Sequence, residues 1–187
     1  SIPKVVGGID SSSLKAAQRL YEAIVPETVP VSSCRAAEAT KLMENIFRCV
    51  NIALVNELKM VFSEMDIDIW EVIQAANTKP FGFMPFYPGP GLGGHCIPID
   101  PLYLSWKANE KGVETRFVDL ADRVNRGMPA HVVERVTELL NENHVAVPDS
   151  EVLILGVAYK PDVSDTRESP AHEVMERLRG RGAPLTY

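Results

Sequence analysis

The chain has 187 residues, 45% of them hydrophobic and 24% charged, with a net charge of -6. That composition suits a globular protein and argues against disorder, while the acidic balance disfavours a nucleic-acid-binding surface, which needs clustered Lys and Arg. No run of about eighteen apolar residues is present to cross a membrane, and Ser1-Ile-Pro-Lys4 lacks the basic-then-apolar plan of a signal peptide, so the expected compartment is the cytoplasm.

In chain order, Pro3 to Asp10 reads as a short apolar strand and turn, followed by a helix over Leu14–Ile24 with Ser11 to Ser13 offering its cap. This is one strand and one helix with no partner unit. Thr28 to Ser33 could be a strand or an edge segment, because Pro30 cannot donate to a ladder. From Ala36 to about Met65 the chain lacks Pro and Gly and is apolar almost all round, which predicts one long, well-buried helix. A second helix is expected from Asp68, an acidic cap, to Ala76. A Pro- and Gly-rich loop then fills 80–101, and Pro101 sits at the first turn of a helix that ends at Gly112. The next helical tract, Arg116–Asn143, contains Gly127-Met-Pro129, which is expected to kink or split it. Glu151 to Ala158 is a continuous apolar run of the kind found in parallel strands buried on both faces. A helix follows from Ser169 to Arg179, with Pro170 in its first turn, and Ala183 to Tyr187 begins another strand.

The fold expected is therefore mainly α: a central helical domain built on one long buried helix, flanked by partial α/β Rossmann-like pieces at both ends. The expected boundaries are 1–32, 33–145 and 146–187, and both ends look cut.

Three cysteines, Cys34, Cys49 and Cys96, are odd in number and widely spaced, and they form no Cys-x-x-Cys pair. They are expected to be free thiols, and no metal site is expected. Gly89-Pro-Gly-Leu-Gly-Gly94 satisfies G-x-G-x-x-G, but no strand precedes it, and Pro98 and Pro101 prevent a helix from starting there. It reads instead as a stiff loop that presents Cys96, with Phe81, Phe83, Phe86 and Tyr87 packing its outer side. An arbitrary lone Cys is more often inert than nucleophilic, yet this one has little apolar packing to join. On the long helix, Lys41, Asn45 and Arg48 fall at i, i+4 and i+7 on one stripe, where a solvated face, an ion pair with Glu38 or Glu44, or a ligand would satisfy them.

Three separated stretches carry a resemblance: the Cys96 loop, the helix Ala37 to Arg48 followed by Asn56-Glu-Leu58, and Gly156-Val-Ala-Tyr-Lys-Pro-Asp-Val-Ser-Asp-Thr-Arg-Glu-Ser-Pro170. Together they resemble the UDP-glucose/GDP-mannose dehydrogenase family. The resemblance implies oxidation of the C6 alcohol of a nucleotide sugar to the acid, with NAD as cofactor. It implies Cys96 as nucleophile, Lys41 and Asn45 stabilising oxygen charge, and Asp100 supporting the nearby water and Lys network. Gly91, Gly93, Gly94 and Lys160 would contact substrate, and Arg167 would lie near the cofactor phosphates. Otherwise, Lys160 and Arg167 are loop cations balancing Asp162, Asp165 and Glu168. The family also implies a homodimer through the helix 36–65. The form Gly-Gly-His-Cys-Ile-Pro-Ile-Asp-Pro is similar to members acting on UDP-N-acetylhexosamines, with UDP-N-acetylglucosamine placed first and UDP-N-acetylmannosamine second. A non-catalytic dimerisation fragment, UDP-glucose 6-dehydrogenase, or a thiol-independent β-hydroxyacid dehydrogenase are the alternatives.

Overall fold

The computed structural model describes residues 2–187, and more than half of the chain is helical. Its contacts divide it into two units, one up to Phe47 and one from Arg48, with the division inside the long helix.

The first unit begins with β1 (Lys4–Val6), α1 (Ser11–Glu22) and β2 (Thr28–Pro30). The cap of α1 is Asp10, one residue ahead of the serines, and its carboxylate accepts the Ser13 N–H at 2.7 Å. The segment after α1 is a strand, one of the two readings open for it: β1 and β2 pair in parallel, with Lys4 opposite Thr28 and Val6 opposite Pro30. The missing donor of Pro30 does not matter, because the Val31 N–H takes the next bond, to the Val6 carbonyl at 2.9 Å. The helix α2 (Cys34–Ser63) then starts at Ser33, whose hydroxyl accepts the Ala36 N–H at 3.1 Å, and runs for 30 residues without a break.

Only part of α2 is covered. Asn45, Cys49, Ala53, Val55 and Asn56 are buried, whereas Met43, Phe47, Leu54 and Val61 are exposed, so the helix expected to be well buried is buried on part of its surface. Those exposed apolar residues recur at spacings of four, seven and seven, as on one stripe of a helix.

The second unit continues with α3 (Ile69–Ala76), α4 (Asp100–Asn109), α5 (Arg116–Glu142), a 3-10 turn at Val147–Asp149, β3 (Val152–Leu153), α6 (Pro170–Gly180) and β4 (Leu185–Thr186). Three apolar clusters hold it. Val55, Ile69 and Ile73 join α2 to α3 and receive Phe86. Cys49, Ala53 and Ala121 join α2 to α5 and receive Leu92 and Ile97. Val133, Val147, Val174, Leu178 and Ala183 pack α5 against α6 and the β3–β4 pair. Pro129 neither splits α5 nor shortens it; it is buried within a continuous 27-residue helix. The strand expected at Glu151–Ala158 shrinks to two paired residues, parallel to β4, and only one of its faces is covered: Val152 and Ile154 meet the core, whereas Leu153 and Leu155 are exposed.

Candidate active site

Lys41 and Asn45 lie one turn apart on α2, as i and i+4 positions must, and the Lys41 Nζ donates to Asn45 Oδ1 at 3.4 Å. Asn45 is fully buried, while Lys41 is exposed. Both belong to the first unit; the other candidates, Cys96, Asp100, the glycines, Lys160 and Arg167, belong to the second.

In the second unit the glycine loop is pinned from both ends. Phe86 enters the α2–α3 cluster, and Tyr87 stacks on Trp70 with ring centroids 5.9 Å apart. Phe81 and Phe83 remain exposed, so only two of the four aromatics expected to pack the loop do so. Leu92 and Ile97 insert between α2 and α5 on either side of Cys96, which is itself exposed. The Cys96 carbonyl accepts the Ile99 N–H at 3.2 Å and the Asp100 N–H at 2.8 Å. That turn delivers the chain into α4, where Asp100 is the first residue and Pro101 follows. No helix begins at Gly94, as the prolines foretold.

The small residues of this loop are explained by what they touch. A Cβ on Gly91 (φ +129°) would stand 3.2 Å from the Asn125 carbonyl oxygen and 3.3 Å from Pro170 Cβ; one on Gly93 would stand 2.7 Å from Tyr159 Cβ. Gly94 (φ +90°) faces the same Tyr159 ring. His95 Nε2 lies 3.4 Å from Asp165 Oδ2, and its ring meets Tyr159 edge-on. Asp165 in turn is gripped by Arg167, whose Nε and Nη2 donate at 2.9 and 2.8 Å. The Arg167 side-chain hydrogen bonds, followed by its backbone N–H, hold the Asp165 carboxyl well below the usual carboxylate range. Lys160 Nζ lies 5.7 Å from the centre of the Tyr159 ring. Arg167 is therefore a cation matched to a loop carboxylate, whereas Lys160 is placed over an aromatic ring.

Tyr159, Asp165, Asn56 and Asn125 carry much of this arrangement and do not stand out in the sequence as site residues. The available signal was weak: an Asn at 56 falls in helical phase with the apolar Cys49 and Ala53, a pattern that flags a buried amide without naming its partner. A cavity of about 630 Å³ opens beside the loop, lined among others by Gly91, Leu92, Asp122, Glu173 and Glu176. Its carboxylates make it a poor receptacle for a nucleotide diphosphate, and Cys96, Asp100, Lys160 and Arg167 do not line it.

A dinucleotide needs glycines open to its phosphates and free helix N–H donors. In the first unit Gly7 is closed off by backbone, a Cβ there lying 2.4 Å from the Ser33 carbonyl oxygen, and the Asp10 carboxylate occupies the Ser13 N–H at the start of α1. Among the described residues no group of three or more His, Cys, Asp and Glu side chains could hold a metal ion, and no helix is long and apolar enough to cross a membrane.

Comparison with known proteins follows the same outline. Over 179 residues the chain is 40% identical to a UDP-N-acetyl-D-mannosamine dehydrogenase of Methanocaldococcus jannaschii, covering 96% of this chain and 40% of that protein. It is 38% identical to an NDP-N-acetyl-D-galactosaminuronic acid dehydrogenase of Ralstonia nicotianae, covering 94% of this chain and 40% of the relative. The structure of a UDP-D-ManNAc dehydrogenase from Pyrococcus horikoshii superposes with a TM-score of 0.88 at 32% identity, covering 98% of this chain and 43% of that one. The chain thus spans about two fifths of the length of the relatives it matches. Residues 35–127 match the UDP-glucose/GDP-mannose dehydrogenase family, central domain, and residues 153–187 match the UDP binding domain of the same family. With two domain descriptions met in order, and with the Cys96 loop inside the first, the chain belongs to the UDP-glucose/GDP-mannose dehydrogenase family.

Proposed function

We propose that this chain is the middle part of a nucleotide-sugar 6-dehydrogenase, with residues 1–32 the tail of an NAD-binding domain, 33–145 the central domain and 146–187 the start of the nucleotide-sugar domain. The substrate is a UDP-N-acetylhexosamine, oxidised at C6 from alcohol to acid in two steps. The observation that carries this reading is Cys96, exposed on a loop that Leu92 and Ile97 fix between two helices. An exposed thiol on a mobile loop would meet many partners; one held by packing on both sides meets a bound substrate in a single orientation.

NAD serves as electron acceptor in this reading, and the chain's own residues supply the rest. After the first oxidation the substrate carries an aldehyde, to which the Cys96 sulfur adds, giving a tetrahedral thiohemiacetal that can be oxidised to a thioester. Water then releases the acid and restores the thiol. Lys41 brings a cation and Asn45 an amide to the oxygen that gains charge at each tetrahedral stage. Asp100 supports the water and Lys network. Lys160 contacts the substrate, as do Gly91, Gly93 and Gly94 through their loop, and Arg167 lies toward the cofactor phosphates. The exposed apolar stripe of Met43, Phe47, Leu54 and Val61 supports a homodimer built through α2. The name of the Methanocaldococcus jannaschii relative supports UDP-N-acetyl-D-mannosamine as the first substrate to try, ahead of the UDP-N-acetylglucosamine put first from the sequence.

The test is NADH formation by the full-length protein given UDP-N-acetyl-D-mannosamine, UDP-N-acetylglucosamine or UDP-glucose. Cys96→Ala is expected to lower acid formation by at least about a thousandfold. A Cys96→Ala protein with unimpaired turnover would remove the thiol from the mechanism, and silence of the parent protein on all three sugars would remove the dehydrogenase reading.

A further inference from the structure

Beneath the Cys96 loop runs a chain of amides that all donate in one direction. The Gly89 N–H donates to Asn56 Oδ1 at 2.9 Å, Asn56 Nδ2 donates to Asn125 Oδ1 at 3.0 Å, and Asn125 Nδ2 donates to the Cys49 carbonyl at 3.1 Å. Asn56 is fully buried and Asn125 nearly so, and the neighbouring seam is apolar, made of Cys49, Ala53, Ala121 and Val124. Two leucines would fill the apolar seam itself, but they would leave the Gly89 N–H without its acceptor, so the amides serve the loop rather than the packing. What the amides add is direction: they fix one backbone N–H of the loop at one point on α2 and one on α5.

Asn125 also lies close to the loop through its backbone. Its carbonyl would ordinarily accept the N–H four residues on, but that residue is Pro129, which has none. Gly91 approaches this carbonyl so closely that an added Cβ would lie 3.2 Å from the oxygen. Gly89, seven residues ahead of Cys96, is thus bonded to Asn125 through Asn56, and Gly91, five residues ahead of it, packs against the Asn125 carbonyl.

We propose that Asn56 and Asn125 are positioning residues: their one-way relay sets the register of the glycine loop on α2 and α5, and with it the approach of the Cys96 sulfur to the substrate carbon. This inference rests on the reading of Cys96 as the nucleophile. A displacement of about 1 Å in a reacting group lowers turnover by up to about a hundredfold, whereas contacts to the remote nucleotide are left alone.

The test uses the full-length protein. Asn56→Leu should lower kcat at least about tenfold with KM for the nucleotide sugar within about twofold, and hydrogen exchange at residues 88–96 should accelerate at least about tenfold. The double variant Asn56→Leu/Asn125→Leu removes both amides together and keeps the test usable if the single variant folds poorly. A purely structural pair predicts that its thermal stability and kcat recover together; the positioning role predicts that stability recovers in part, since the Gly89 N–H has lost its acceptor in both variants, while kcat stays low and exchange at 88–96 stays fast. Recovery of kcat in the double variant, or an Asn56→Leu protein with parental kcat and parental exchange, overturns the proposal and leaves the dehydrogenase reading standing. If the parent protein oxidises no nucleotide sugar, that reading fails instead. Exchange at 88–96 then decides whether the relay holds the loop, and an unchanged rate overturns the inference.

Discussion

The chain contains the same small motif twice, a parallel pair of short strands joined by a helix, and the two copies are held by different forces. In β1–α1–β2 the helix buries no residue at all; in β3–α6–β4 the helix buries Val174, Met175 and Leu178. The difference is α5, which gives α6 a second surface to pack against. The first copy relies on close backbone approach instead, with Gly7 against the Ser33 carbonyl and Gly8 against the start of α1. Within the described residues, burial of the connecting helix thus depends on a neighbouring layer, which α5 supplies to α6.

The largest effect should come from the packed copy. Leu178 is 1% exposed inside the α5–α6 cluster, so Leu178→Ala should cost about 2–5 kcal/mol, read by urea unfolding. Leu20, at the corresponding end of α1, is 63% exposed, and its removal should change stability by no more than about 0.5 kcal/mol. Equal losses at the two sites would erase the distinction. Gly8→Ala should be next, at about 1–3 kcal/mol, because the new Cβ would lie 2.5 Å from the Leu14 backbone nitrogen and 2.7 Å from its Cα, neither of which can rotate away. Gly180→Ala meets nothing within 4 Å and serves as the harmless counterpart. Hydrogen exchange in β1 and β2 that Gly8→Ala fails to accelerate would show that the backbone contact is not what holds the first copy.

Helices were the most legible part of the sequence because their stops and starts are local chemistry: Asp68 caps α3, Pro101 and Pro170 open α4 and α6, and Gly112 (φ +72°) ends the turn after α4. Strand extent was not legible, because the apolar run at 151–158 marks what a full sheet would bury, whereas pairing here is limited to Val152 and Leu153. The same holds for Pro129: its break signal is local, but Gly91 packs against the Asn125 carbonyl to which Pro129 cannot donate, and that is a matter of tertiary contact. Of the candidate site, the Lys41–Asn45 pair follows from helical period alone, and the presentation of Cys96 follows from its glycines and prolines. The relay of Asn56 to Asn125 spans 69 residues and that of His95 to Asp165 spans 70, so neither could be read from spacing.

The smallest effect concerns how the two helices begin. Asp10 caps α1 with a carboxylate, whereas Ser169 caps α6 with a hydroxyl that accepts the Ala171 N–H at 3.3 Å. The Ser13 N–H, then the Ser13 and Ser12 hydroxyls, lower the Asp10 pKa from 3.8 to about 2. A carboxyl whose folded pKa is depressed contributes stability in full above its unfolded value and loses it as pH falls toward the folded one. The α1 cap should therefore weaken between about pH 3.8 and pH 2, a range in which the Ser169 cap carries no titrating group. Because Asp10 is exposed, the loss should appear as fraying of the first turn of α1 rather than as unfolding. Amide shifts of residues 11–14 followed by NMR should move with a midpoint near 2 in the parent chain and stay flat in Asp10→Ser, which keeps a capping oxygen but has no proton to gain. An Asp10→Ser chain that still frays over the same range would place the acid sensitivity elsewhere and leave the two copies alike at their caps.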